Sequence, residues 1–108
     1  MDKRKQEGRR IALELKAFRK VLKAHNICQL DFMLLIYIGR TISTYKELDS
    51  TGMTIGITGI VKRGYLERVN GYNRKFKAST KGLYLLDEYY NLLDSYLYKL
   101  DSNKIDLI

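Results

Sequence analysis

Apolar residues recur along this chain at helical intervals in two long stretches, with a more mixed segment between them. From Arg10 onward, Ile11, Leu15, Phe18 and Leu22 follow at spacings of four, three and four, and Lys16, Arg19, Lys20 and Lys23 fall off that stripe. The spacing predicts an amphipathic helix over about 10–24 with a basic back. His25-Asn26 break it. Asp31 is placed to cap a second helix through Phe32, Leu34, Leu35, Ile36 and Ile38, ending at Gly39. That segment is nearly all apolar, so it is expected to be the central buried helix. The polar stretch 41–44 leads to a short helix around Tyr45 to Leu48, with Ser43 or Thr44 as its cap, and Asp49-Ser50-Thr51-Gly52 is turn chemistry.

The next stretch combines two periodicities. Met53, Ile57, Ile60 and Val61 stack on one side of a helix about 12 residues long, which turns Thr54, Thr58, Lys62 and Arg63 outward. Gly64 ends it. Tyr65 to Val69 and Lys75 to Ala78 are strand-like, and Asn70-Gly71 between them is a strong hairpin signal. Two registers stay open. A two-residue turn sets Glu67 opposite Arg74 but Leu66 opposite Lys75, whereas a longer loop brings Leu66 opposite Ala78 and puts Phe76 on the same face. Ser79 or Thr80 then caps a last helix over about 80–100. Along it Leu83, Leu86, Tyr90, Leu93, Leu97 and Leu100 form a seam, with Tyr89, Leu92 and Tyr96 in a second row beside it.

The expected fold is mainly α with a small β-hairpin: a winged helix-turn-helix with N- and C-terminal helices flanking its core. The expected organisation is a flexible basic arm over 1–9 and a single domain over 10–108, with its core at about 30–82 and a loose end from Asp101. A length of 108 residues leaves room for one domain.

Net charge is +8, and it is unevenly spread. Residues 1–23 carry nine Lys/Arg against three Asp/Glu, and residues 53–82 carry seven against one, whereas residues 83–108 carry two against five. Two separate cationic blocks are what a polyanion-binding surface requires. The longest apolar run, Phe32 to Ile38, is too short to span a membrane, and the Met-Asp-Lys-Arg-Lys start lacks the apolar stretch of a secretory signal. A cytoplasmic location is expected.

Catalytic chemistry is not visible. The lone His25 has no defined partners, and with the lone Cys28 it falls short of a zinc ligand set. Cys28 reads as a small buried apolar residue, and His25 as an exposed or capping one. Gly52, Gly56 and Gly59 are not followed by Gly-Lys-Ser/Thr, so they do not form a phosphate loop. Adjacent Asp87 and Glu88 point to different sides of a helix. No enzyme, metal or cofactor is expected.

The run IVKRGYLERVNGYNRKFKASTKGLYLL resembles the end of the recognition helix, the wing and the start of the next helix in winged-helix transcriptional regulators of the MarR and PadR type. Gly64 stands where those proteins place a glycine after the recognition helix, Arg68 where the first wing strand often carries a basic residue, and Ser79 to Gly82 is similar to their Thr-x-x-Gly entry to the C-terminal helix. The resemblance covers about residues 30–100. It departs in a short wing and in Tyr72-Asn73 before Arg74, where family members often carry an aspartate.

The resemblance implies a homodimer built from the terminal helices, here Ile11, Leu15, Phe18, Leu22, Tyr89, Leu93, Tyr96, Leu97 and Leu100. A monomer whose N-terminal helix covers the second row is the other reading. It also implies double-stranded DNA as partner. Thr54 and Thr58 would then meet base edges, Lys62 and Arg63 phosphates, and Arg68, Arg74, Lys75 and Lys77 the backbone, with Arg74 entering a minor groove and Tyr72 and Asn73 at the wing tip. A DNA-binding transcriptional regulator of a bacterial or phage-infected cell is the first expectation. The second is a structural or adaptor protein in a larger nucleoprotein or virion assembly, because Gly56 and Gly59 let either DNA or another helix approach this one closely.

Overall fold

Asp2 starts the first helix well before Arg10. Its carboxylate accepts the backbone N–H of Arg4 at 3.0 Å, and α1 runs Lys3–His25. The expected flexible arm is therefore largely helix. The charged residues that hide the segment from apolar periodicity are good helix formers, and Gly8 sits in open space where it costs only its propensity. Asn26 closes α1 in the left-handed region. The remaining elements are α2 (Gln29–Ile38), β1 (Ser43–Thr44), α3 (Tyr45–Ser50), α4 (Ile57–Lys62), β2 (Leu66–Val69), β3 (Tyr72–Ala78) and α5 (Thr80–Asp106). The computed structural model describes residues 2–53 and 56–106, without the side chains of Asn73 and 100–106.

The chain is thus mainly helical with a small three-stranded antiparallel sheet. The sheet has the order β1-β3-β2. Strand β1 pairs Ser43 with Phe76 and Thr44 with Lys75; at two residues it is too short to leave an alternation in the sequence. The hairpin combines both registers considered above. Its tip is the two-residue Asn70-Gly71 turn, with Gly71 at φ +81°. An irregularity between Arg68 and Val69 then shifts the ladder so that Leu66 faces Ala78 and Arg68 faces Phe76. The shift buries Leu66, Phe76 and Ala78 together, which the unshifted ladder would not.

Helix α2 is the centre of the core, with Phe32, Leu34, Leu35 and Ile38 all buried. Each such side chain contributes roughly 1.5 to 3 kcal/mol of transfer free energy. Around it lie Val21 of α1, Leu48 of α3, Ile57 and Ile60 of α4, Leu66 and Phe76 of the sheet, and Leu85, Leu86 and Tyr89 of α5. Phe18, Phe32 and Tyr89 meet edge-on with ring centroids 5.2 to 6.4 Å apart, and so join α1, α2 and α5. Asp31 does not cap α2. It is the third residue of the helix, buried, and Cys28 at the N-cap makes no side-chain cap bond.

Helix α5 docks through its first turn. Ser79 donates its hydroxyl to the Gly64 carbonyl and accepts the N–H of Gly82 at 3.1 Å, while its own N–H reaches the Tyr65 carbonyl at 3.0 Å. A side chain at Gly82 would collide with that same carbonyl and lie 3.0 Å from Leu35 Cδ2. The glycine therefore lets the helix pass directly over the backbone that leaves α4. Its other end is helical through Asp106 rather than loose from Asp101. His25 is half-buried, neither exposed nor a cap, with Nε2 2.5 Å from Glu88 on α5. Cys28 is exposed rather than buried, because the α1–α2 turn carries it outside while Ile27 fills the core. Among the described residues no single helix is long and apolar enough to cross a membrane.

Candidate nucleic-acid interface

Helix α4 spans six residues, half the expected length. Thr51 and Gly52 explain the late start. The Thr51 hydroxyl accepts the N–H of Met53 at 3.1 Å, Gly52 turns the chain at φ +74°, and the first helical bond runs from Ile60 to the carbonyl of Gly56. Glycine at 56 and 59 lowers helix propensity by a further ~1 kcal/mol each. Thr54 lies outside the described residues. The end is as expected: Gly64 adopts φ +86°, its N–H bonds Val61 O, and Tyr65 N–H bonds Ile60 O, a Schellman closure. Ile57 and Ile60 face the core, and Thr58 and Lys62, one turn apart, face out.

Arg63 does not stand out toward phosphates. Its Nε and Nη2 lie 2.8 and 2.6 Å from Asp31 Oδ2 on α2, an ion pair that fixes α4 to the central helix. The guanidinium reaches Asp31 by lying across Gly59, where a Cβ would come within 2.9 Å of Nη1. Gly59 thus admits neither DNA nor another helix but this side chain. The sequence signal was present in a buried-position aspartate and a glycine four residues before an arginine.

On the hairpin the cations divide. Arg68 lies over the ring of Phe76, 5.6 Å from its centroid, and Lys77 pairs with Glu67 at 3.5 Å across the strands. Lys75 lies over the Tyr72 ring at 4.5 Å, which holds both side chains at the tip beside exposed Arg74. Among the described residues Lys62, Arg74 and Lys75 form no ion pair. The side chain of Asn73 lies outside them.

Pairing of β1 with β3 brings two residues to this surface that the sequence reading missed. Tyr45 and Lys46, at the start of α3, line a cleft of about 710 Å³ with Tyr72, Arg74 and Lys75. Thr44, rather than Ser43, sets their helix: its Oγ1 accepts the N–H of Glu47 at 3.1 Å.

The residues expected at a dimer interface separate into two groups. Phe18, Leu22, Tyr89, Leu93 and Tyr96 pack within the chain, where α1 lies along α5, and Leu97 is half-buried. Ile11 and Leu15 are exposed and line a groove with Phe18, Met33 and Tyr89. The side chain of Leu100 lies outside the described residues.

The sequence matches no protein-family model, and neither the curated proteins nor the solved structures contain a match.

Proposed function

We propose that the chain binds double-stranded DNA as a winged helix-turn-helix regulator, with α3 and α4 as the helix pair, β2–β3 as the wing and α4 in the major groove. The observation that carries this reading is the division of the cations. Arg63 and Lys77 are ion-paired with Asp31 and Glu67, whereas Lys62, Arg68, Arg74 and Lys75 are exposed on the same helix–hairpin unit and form no ion pair among the described residues, Arg68 and Lys75 lying over aromatic rings. Unneutralised cations of this kind release counterions when they meet phosphate.

Thr58 supplies a hydroxyl and a methyl group for base edges, and Lys62 a phosphate contact. Arg74 is the residue for a narrow minor groove. Ile11 and Leu15 offer an apolar patch for a second copy of the chain, which would set two such units on a pseudo-palindrome. The test is selection of bound duplexes from a random pool at physiological ionic strength. A regulator returns an enriched site with two-fold symmetry.

One observation favours a second reading, a structural or adaptor role in a nucleoprotein assembly. A six-residue α4 that shows only Thr58 and Lys62 has few groups for reading bases. In that case the selection returns no enriched site and the protein elutes with a protein partner.

A further inference from the structure

The cationic surface of α1 belongs to a different part of the molecule from the helix–hairpin unit. At 100° per residue, Lys5, Arg9, Lys16, Arg19, Lys20 and Lys23 fall within an arc of about 100° on the side away from buried Val21. All six are exposed. The acids of the helix proper, Glu7 and Glu14, lie on the opposite arc, and Glu14 takes Arg10, which is off the stripe, at 3.5 Å. The charges of α1 are therefore segregated by face, and none of the six stripe cations is ion-paired among the described residues.

From Lys5 to Lys23 the stripe is about 27 Å long, the axial length of roughly eight base pairs of duplex. Most of its apolar side is spent on the core, through Ala17, Phe18 and Val21, and the large apolar residues of the helix left exposed, Ile11 and Leu15, are too few to lay it into a lipid surface. A row of cations with no acid of the helix in it, interrupted only by the small Ala12, matches a regular row of phosphates.

We infer that the outer face of α1 is a second, sequence-indifferent track for the phosphates of duplex DNA, separate from the helix–hairpin unit. The inference rests on the DNA reading above. It gives the protein two contacts with duplex: one placed to read sequence and one that adds affinity to any sequence.

The test is the salt dependence of binding to a random-sequence duplex. The variant carries Lys5→Gln, Arg9→Gln, Arg19→Gln and Lys23→Gln; Lys16, which lies over Tyr96, and Lys20, which borders Asp87 and Glu88, are kept. Loss of four phosphate contacts lowers the log–log salt slope by about 3.6, so the affinity loss between about 50 and 200 mM salt shrinks by about 150-fold. A control with Lys and Arg exchanged at the four positions keeps the wild-type slope. An unchanged slope in the glutamine variant overturns the track, as does an equal loss in the control. If α1 governs the slope while Arg74→Ala with Lys75→Ala changes nothing, the helix–hairpin site fails and the track stands. The reverse pattern removes the track alone.

Discussion

The guanidinium of Arg63 lies across Gly59 and grips the Asp31 carboxylate at 2.6 and 2.8 Å, so a cation at the end of α4 serves the core. The pair is asymmetric: the Asp31 side chain is 9% exposed and that of Arg63 is 50%. Arg63→Ala leaves a buried carboxylate without its partner and is expected to cost about 2 kcal/mol. Asp31→Asn leaves an arginine that water can reach and is expected to cost about 1 kcal/mol. Urea unfolding of the two variants measures this order. Gly59→Ala gives a coupled result: in the wild-type background it displaces Arg63 and gains nothing, whereas with Arg63→Ala it stabilises by about 1 kcal/mol through helix propensity.

Gly82 differs from Gly59 because the obstacle there is backbone. The Tyr65 carbonyl stands where a Cβ would be, and it cannot swing aside as a side chain does. Gly82→Ala is expected to cost about 3 kcal/mol, since α5 must lift from the α4–β2 link. The thermal midpoint reports it, and a midpoint equal to wild type contradicts the close approach.

Much of this was legible before the fold was known, and the exceptions share a cause. The ends of α1, α2 and α4 at Asn26, Gly39 and Gly64 follow from local chemistry, the burial of Phe32 and Leu35 from a nearly all-apolar segment, and that of Ile57 and Ile60 from spacing. What sequence did not disclose depends on contacts between distant segments. Strand β1 exists only through β3, Arg63 turns inward only because Asp31 is there, and Tyr45 and Lys46 reach the hairpin only through the sheet. The start of α1 was missed for another reason: its first turns are charged, so periodicity is silent where the cap at Asp2 is decisive.

Burial raises the Tyr89 hydroxyl above its ordinary value of 10.0, with Glu14 and then Tyr90 adding to the shift. Because the folded state holds this proton more tightly than the unfolded chain, the contribution is fully present below pH 10 and is lost as pH rises through the folded value. Tyr89→Phe is therefore expected to flatten the alkaline fall in stability. Urea midpoints across the alkaline range for both proteins check it, and parallel curves contradict it.

Ile11 and Leu15 are 50% and 46% exposed, so charging them need not disturb the core. If they form the proposed interface between copies, Ile11→Asp with Leu15→Asp gives folded monomers by sedimentation equilibrium. A wild-type protein that is already monomeric, or a double variant that still dimerises, removes that interface. Leu93 is unsuitable for the same test because it packs against the core.

The central claim is that the hairpin tip meets DNA. Its most direct test is an equilibrium titration of duplex with wild type and with the Arg74→Ala, Lys75→Ala variant across a range of salt. The account predicts weaker binding of the variant to every sequence and a log–log slope lower by about 1.8 units for two lost phosphate contacts. Identical affinity and slope in the two proteins would contradict it.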